Sequence, residues 1–295
     1  MGSVQAMCRA FCRFFQEYLP CSPGKDGVAE KRKKGDIMLA IERRNAILSV
    51  LREDKHVVVS ELAKAFEVSE ETVRRDLDKL EKEGLVVKTY GGAVMSENNS
   101  VELPYVVRKK ANVTAKQKIA ELAAGIISDG DTLILDASST AVFIAQKIKS
   151  KKDLTLITNS IEVLMELSDV TGWKILSTGG LLKERSCALV GNQAEECLSR
   201  FHVDKAFISC KGVHPEHGFS DSSDMHASVK RSMIQSAAQV FFAVDSSKFG
   251  KLSLTTISNF EGVEAVITDQ KPSAEWERIF AANDVDCLYP EGENV

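Results

Sequence analysis

The chain has 295 residues, 44% hydrophobic and 27% charged, with a formal net charge of -4, which is ordinary for a soluble globular protein with room for one minor and one major domain. No run of eighteen apolar residues occurs, which excludes a helical membrane span, and the near-neutral charge carries no global mark of a nucleic-acid partner, so any such function has to be local. The seven cysteines, Cys8, Cys12, Cys21, Cys187, Cys197, Cys210 and Cys287, are scattered without a C-x-x-C pair; this argues against a disulfide framework or a metal cluster and fits a reducing cytoplasm.

The first 37 residues imitate targeting signals without satisfying them. Ala6 stands in MGSVQA where a myristoylation signal needs Ser or Thr, and AFCRFFQEYL is broken by Arg13, Gln16 and Glu17. The run KRKK at 31–34 reads as a solvated linker rather than a nuclear address or a nucleic-acid arm. A periodic pattern begins at Met38, and the preceding KKGD is encodable by a purine-rich ribosome-binding sequence, so 1–37 are read as an N-terminal extension that a misassigned start codon would explain.

Residues 38–95 read as a small domain. Leu39, Ile41, Ala46, Ile47, Val50 and Leu51 recur near helical spacing and predict a first amphipathic helix. The β-branched run at 57–59 predicts a short strand, with Ser60 as the N-cap of a helix over ELAKAFE. Ser69 is the cap expected for the next helix, in which Val73, Leu77 and Leu80 form one buried stripe before Gly84 stops it. That stripe turns Thr72, Arg75 and Lys79 to one flank and Ser69, Glu71 and Arg74 to the solvent front. LVVKTY then predicts a strand, Gly-Gly a turn and Ala-Val the return strand of a wing.

Helix, strand, helix, turn, helix and hairpin is the order of a winged helix-turn-helix, whose last helix enters the major groove of double-stranded DNA. Arg74 and Arg75 are suited to guanine edges or phosphates, Ser69 and Thr72 to phosphate or base contacts, and Lys88 and Tyr90 of the wing to the DNA backbone. The domain carries ten basic and eleven acidic side chains, so the alternative is that the two arginines make surface pairs with the acids around them. IERRNAILSVL, followed by SELAKAFEVSEETVRRDLDKLEKEGLVVKTYGGA, resembles the DNA-binding domain of DeoR-type repressors of bacterial sugar operons over about fifty-five residues. Lys88 and Tyr90 depart from the Arg and His that many members show there.

Residues 96–115 are polar, contain Pro104 and read as the connector between domains. Residues 116–295 alternate strand-like runs (DTLILDA, DLTLITN, WKILSTG, VDKAFISC, QVFFAVDS, EAVITD, VDCLY) with helical patterns, which predicts an α/β domain with a largely parallel sheet. Ligands of such sheets sit beyond the carboxyl ends of the strands, here Asp136 to Thr140, Thr158 to Ser160, Gly179 and Gly180, Lys211 and Gly212, and Asp245 to Lys248. No G-x-G-x-x-G or Walker sequence follows the first strand, which weighs against dinucleotides and nucleoside triphosphates. DASST instead brings Ser138, Ser139 and Thr140 to a helix N-terminus, where amides favour a phosphate monoester, and Lys248 offers the counter-charge. Ser138 or Ser139 alone would be an ordinary cap, and Asp136 either accepts sugar hydroxyls or is satisfied by backbone.

This half resembles the sensor domain of the same family through DASSTA, ITNS, TGG, LVG, DKAFISCKGV, VKRSMI and VDSSKFGK. The resemblance implies the ribose 5-phosphate isomerase fold, with phosphate near Ser139, Thr140 and Lys248 and with Asp136, Asn159 and Asp204 as polar support. Ser138, Ala141 and His226 stand where the family usually has Gly, Thr and Glu. His226, four residues before Lys230, reads as a solvated helix residue in preference to a ligand contact, and His214 and His217 as a plain loop lacking a third metal ligand.

The expected fold class is α+β in two domains: a winged helix-turn-helix followed by an α/β sensor. The expected function is a cytoplasmic, homo-oligomeric repressor of a carbohydrate operon that binds operator DNA, releases it on binding a sugar phosphate, and needs neither cofactor nor metal. The rival is an isomerase or deaminase-like enzyme, for which no convincingly placed general base is found.

Overall fold

A computed structural model describes residues 38–96, 103–183 and 185–291; the expected extension, with its KRKK run, lies outside the described residues. The chain divides into two compact units, Met1–Met95 and Ser96–Val295.

The described part of the first unit runs α1 (Ala40–Asp54), β1 (His56–Val58), α2 (Val59–Ala65), α3 (Glu70–Lys82), β2 (Val86–Thr89) and β3 (Gly92–Met95), the order of a winged helix-turn-helix. Ala46, Ile47, Leu48 and Leu51 of α1 pack in a core with the buried Val73, Leu77 and Leu80 stripe of α3. Two expectations fail locally. Leu39 and Ile41 are 62% and 61% exposed while Arg43 is buried, because the first turn of α1 directs a guanidinium inward. Ser60 lies inside α2, which begins one residue earlier with Val58 at the cap position. The three wing strands pair antiparallel in the order β1-β3-β2. Gly91 holds φ 82 in the turn, and a Cβ on Gly92 would lie 1.9 Å from the Val57 carbonyl oxygen, so only glycine lets β3 lie against β1.

The second unit opens with α4 (Tyr105–Lys110) and α5 (Val113–Ile126). The connector expected over 96–115 is therefore helical from Tyr105 onward, with Tyr105 and Val107 buried. The chain continues through β4 (Thr132–Leu135), α6 (Ser139–Ile148), β5 (Thr155–Thr158), α7 (Ile161–Glu166), β6 (Lys174–Ser177), β7 (Leu181–Lys183), β8 (Ala188–Val190), α8 (Asn192–Leu198) and β9 (Val203–Ile208). It ends with β10 (Gly212–His214), β11 (Gly218–Asp221), α9 (Asp224–Gln235), β12 (Ala237–Ala243), a 3-10 turn (Ser246–Lys248), β13 (Thr255–Ser258), β14 (Ala265–Ile267), α10 (Ala274–Ala282) and β15 (Asp286–Leu288).

Seven of these strands form one parallel sheet in the order β15-β14-β12-β9-β4-β5-β6. Period-two alternation sends Phe207 and Phe241 into one hydrophobic cluster and their neighbours Ile208 and Phe242 into another, so both faces are covered. From β4 the chain builds outward through β5 and β6, then returns to place β9 on the other side of β4. The carboxyl ends of β4 and β9 thus flank the topological switch point where such sheets take ligands. Two small antiparallel sheets, β7-β8 and β10-β11-β13, went unanticipated in the sequence because strands of three or four residues carry almost no periodicity.

Candidate nucleic-acid interface and effector site

In α3, the Ser69 hydroxyl accepts from the Thr72 amide at 3.2 Å and meets the Thr72 hydroxyl at 2.9 Å, so this cap both starts the helix and orders the two hydroxyls expected to face DNA. Arg74 and Arg75 are exposed and each pairs one turn back, Arg74 to Glu70 at 2.8 Å and Arg75 to Glu71 at 3.3 Å. Lys88 of the wing sits between Asp78 at 2.6 Å and Glu81 at 3.2 Å. Hydrogen bonding to these carboxylates raises the Lys88 ammonium above its ordinary pKa and lowers Asp78 below its own. Lys79 is exposed with no ion pair among the described residues, and Tyr90 is fully exposed at the wing turn.

The surface pairs are thus present, yet they do not decide against DNA. An exposed i,i+4 pair contributes roughly 0.3–0.5 kcal/mol, whereas a bidentate contact to a base contributes about 1–3 kcal/mol, so exchanging one for the other is favourable. Glu71 is placed to hold Arg75 in the free protein.

Asp76, one of the acids beside the arginine pair, is not a surface group: it is 4% exposed and takes Arg43 Nε at 2.5 Å and Arg44 at 3.4 Å. It ties α1 to the recognition helix. The signal was available: position 76 lies three after Val73 and four before Leu80, on the buried stripe itself.

At the sheet's switch point Asp136 is 1% exposed. Its two oxygens accept from the amides of Ser138 at 3.0 Å and Ser209 at 2.9 Å, bridging the ends of β4 and β9. Backbone, not solvent, satisfies it. Ser138 caps α6 by accepting from Ala141 at 3.0 Å, which leaves the amides of Ser139 and Thr140 as first-turn donors, with both side chains buried. Asn159 donates to the Leu189 carbonyl at 2.9 Å, while its Oδ1 is buried and has no hydrogen bond among the described residues; the Ser222 hydroxyl is in the same condition. Buried polar atoms without partners are costly, and they are what a polyhydroxyl ligand could satisfy.

Lys230 is buried behind these groups, 2.6 Å from Asp221, 2.8 Å from the Ser209 carbonyl and 3.6 Å from Asp136. Burial works to neutralise both Lys230 and Asp221, but each is the other's counter-charge, so Lys230 is held above the usual lysine range and Asp221 below the usual carboxylate range. His226 is 6% exposed, correcting the solvated reading, and it adds to the positive field on Asp221. Burial pushes the Cys210 thiol up to about 12 against opposing pulls from both Lys230 and Lys248.

Lys248 closes the 3-10 turn after β12. Its loop is anchored by Asp245, whose carboxylate accepts from the Ser247 amide at 3.2 Å, the Ser247 hydroxyl and Asn112 at 3.0 Å. Burial raises the Asp245 carboxyl, but Lys248 and these donors more than offset it, leaving a lowered pKa. Lys211 is half-buried where β9 ends, its amide donating to Ser220 at 2.8 Å. Asp204 is not brought to this place. It accepts from the Thr132 amide at 2.7 Å at the amino ends of β9 and β4, about 17 Å of strand away from Ser209. The motif DKAFISCKGV spans a whole strand, so its first residues lie at the amino ends of the strands and its last at the carboxyl ends.

A winged helix with an exposed arginine pair, followed by a doubly covered parallel sheet with cations and hydroxyls at its switch point, defines a DNA-binding regulator that carries a small-molecule sensor domain. Residues 43–99 match the DeoR-like helix-turn-helix domain, and residues 111–270 match the DeoR C terminal sensor domain. The chain belongs to the DeoR family of transcriptional regulators. It is 41% identical to the uncharacterized HTH-type transcriptional regulator YulB of Bacillus subtilis over 79% of this chain and 90% of that one. It is 37% identical to the HTH-type transcriptional repressor GlcR of the same organism, over 85% and 96%. Identity to the glycerol-3-phosphate regulon repressor of Escherichia coli is 28%, over 80% and 93%. Ribose 5-phosphate isomerase A from Methanocaldococcus jannaschii is similar with a TM-score of 0.34 at 19% identity, over 46% of this chain and 55% of that one.

Proposed function

We propose that this regulator is a cytoplasmic repressor of a carbohydrate-utilisation operon and that a sugar phosphate, bound at the carboxyl end of the parallel sheet, releases it from its operator. The observation that carries the reading is the buried, unbonded Asn159 Oδ1 at an end of the sheet that also presents the α6 amides, Lys230 and Lys248. That combination suits a ligand with an anionic head and a hydroxyl-bearing body. A homo-oligomer reading repeated half-sites fits a single recognition helix per chain, since one helix makes few base contacts.

Enzymatic turnover is not part of this reading. Asp136 is taken up by two backbone amides, and Asp221, paired with the Lys230 ammonium, is held below the usual carboxylate range, which makes it a weak base for carbon acids. The test is a mobility shift of the chain's own promoter fragment across a panel of sugar phosphates. One compound should dissolve the complex and emerge unchanged. A complex indifferent to every phosphosugar, or a converted product, would count against the proposal.

A further inference from the structure

The turn between β10 and β11 carries a cluster that neither DNA binding nor effector binding uses. The sequence reading treats His214 and His217 as a plain loop because no third ligand is spaced after them; the third ligand lies between them. His214 ends β10 and pairs with Gly218 at the start of β11, which leaves Pro215, Glu216 and His217 as the connection. The turn is rigid at both ends. Pro215 has a ring-locked φ, and Gly218 sits at φ 64, where a Cβ would lie 2.3 Å from the Ser258 carbonyl oxygen. The imidazoles of His214 and His217 consequently stack with centroids 4.9 Å apart. One donor atom from each, with a Glu216 carboxylate oxygen, falls within 4.8 Å of the others.

We propose that His214, Glu216 and His217 form a binding site for a divalent transition metal, with zinc the ion best suited to the donors and water completing the coordination. Two imidazoles and one carboxylate select zinc and its late first-row neighbours over magnesium or calcium, which take oxygen. Ligand bonds of about 2.0–2.2 Å in a tetrahedron require donors about 3.4 Å apart. The side chains therefore close by little more than one ångström, through torsions of the exposed Glu216 and His217. The His214 Nδ1 now accepts the Glu216 amide at 3.2 Å; ligation at this nitrogen replaces that bond, and the exposed amide passes to water. β10 follows Lys211 directly and β11 ends at Asp221, so a metal here stiffens the hairpin that carries two groups of the sheet-end site.

The test is calorimetric titration of zinc chloride into chelator-treated full-length protein, beside the double variant His214→Asn/His217→Asn and the single variant Glu216→Gln. Cysteines elsewhere can also take zinc, so the readout is the difference between proteins that unfold at the same temperature. Wild type should bind one equivalent more than the double variant. Glu216→Gln should keep that equivalent with affinity weakened at least about tenfold, the minimum that loss of even an outer partner costs. Magnesium chloride should give no corresponding heat. Equal zinc stoichiometry in wild type and the double variant overturns the site, and undiminished affinity in Glu216→Gln overturns the three-ligand assignment.

Discussion

Lys230 Nζ lies 2.6 Å from Asp221 Oδ2, and the same ammonium reaches the Ser209 carbonyl at 2.8 Å, so one buried cation joins the end of β9 to β11. Lys230→Met keeps much of the volume and removes the charge, leaving the buried Asp221 without its ammonium partner. Breaking such a pair from one side is expected to cost about 3–5 kcal/mol, read as a lower urea midpoint.

The same pair sets a pH dependence. Asp221 has its folded pKa below the ordinary carboxylate value of 3.8, so its stabilising contribution is fully present above that value and is lost as pH falls through the folded one. Wild type should therefore lose stability progressively in urea melts below about pH 4. In Lys230→Met, the Asp221 carboxylate loses its main counter-charge and burial is opposed only by the weaker pulls of His226 and Lys211, so its pKa rises and the penalty of the variant should shrink on acidification. A gap that stays constant with pH would show that Asp221 and Lys230 are not coupled.

Arg75 is 77% exposed, and among the described residues its ion pair is with Glu71. Arg75→Ala should weaken operator binding by roughly 1–3 kcal/mol while moving the unfolding midpoint by less than about 0.5 kcal/mol. Fluorescence anisotropy with a labelled operator and a urea melt measure the two effects. Unchanged affinity would remove Arg75 from the interface.

Asp76→Ala should behave in the opposite manner. It leaves the buried Arg43 without its carboxylate and is expected to destabilise the first unit by about 3–5 kcal/mol, visible as early loss of α1 and α3 in hydrogen exchange. Operator binding then fails through unfolding, and lower temperature should restore part of it. A variant that folds as well as wild type would show that the Arg43 bridge contributes little.

Lys248→Ala should leave operator affinity intact and raise the sugar-phosphate concentration needed for release about ten- to a hundredfold, the equivalent of one charge-assisted hydrogen bond. Thr140→Val should act in the same direction with a smaller effect, since it removes one neutral hydroxyl and keeps the shape. Release curves from titrated mobility shifts separate the two variants. Coincidence of the Lys248→Ala curve with wild type would move the phosphate to another strand end.

Much of the front unit was legible because its signals are local. The Val73, Leu77 and Leu80 stripe, the Ser69 cap and the Gly91-Gly92 turn each depend on residues within one or two turns of chain, so spacing alone yields the recognition helix and the wing. The buried role of Asp76 escaped a reading by residue type because its partner lies thirty-three positions earlier, although its place on the stripe pointed inward. The short strands of the two small antiparallel sheets escaped for the complementary reason: they are made by pairing, and three or four residues carry no period of their own.

By itself the sequence determined the order of the longer elements, the winged helix, the parallel sheet and the phosphate-friendly character of DASST and DSSK, since propensity, capping and alternation act over a few residues. Only the tertiary structure decided which of the named groups meet. It set Asp204 at the amino end of its strand, closed Asp136 between two backbone amides, buried His226, made Lys230 the common counter-charge and brought the donor atoms of His214, Glu216 and His217 within 4.8 Å of one another. The physical reason is that strand order is a long-range choice. Once the chain crosses back from β6 to set β9 beside β4, residues more than seventy positions apart become neighbours, and their charges and hydrogen bonds are settled by that crossing and by no nearby residue.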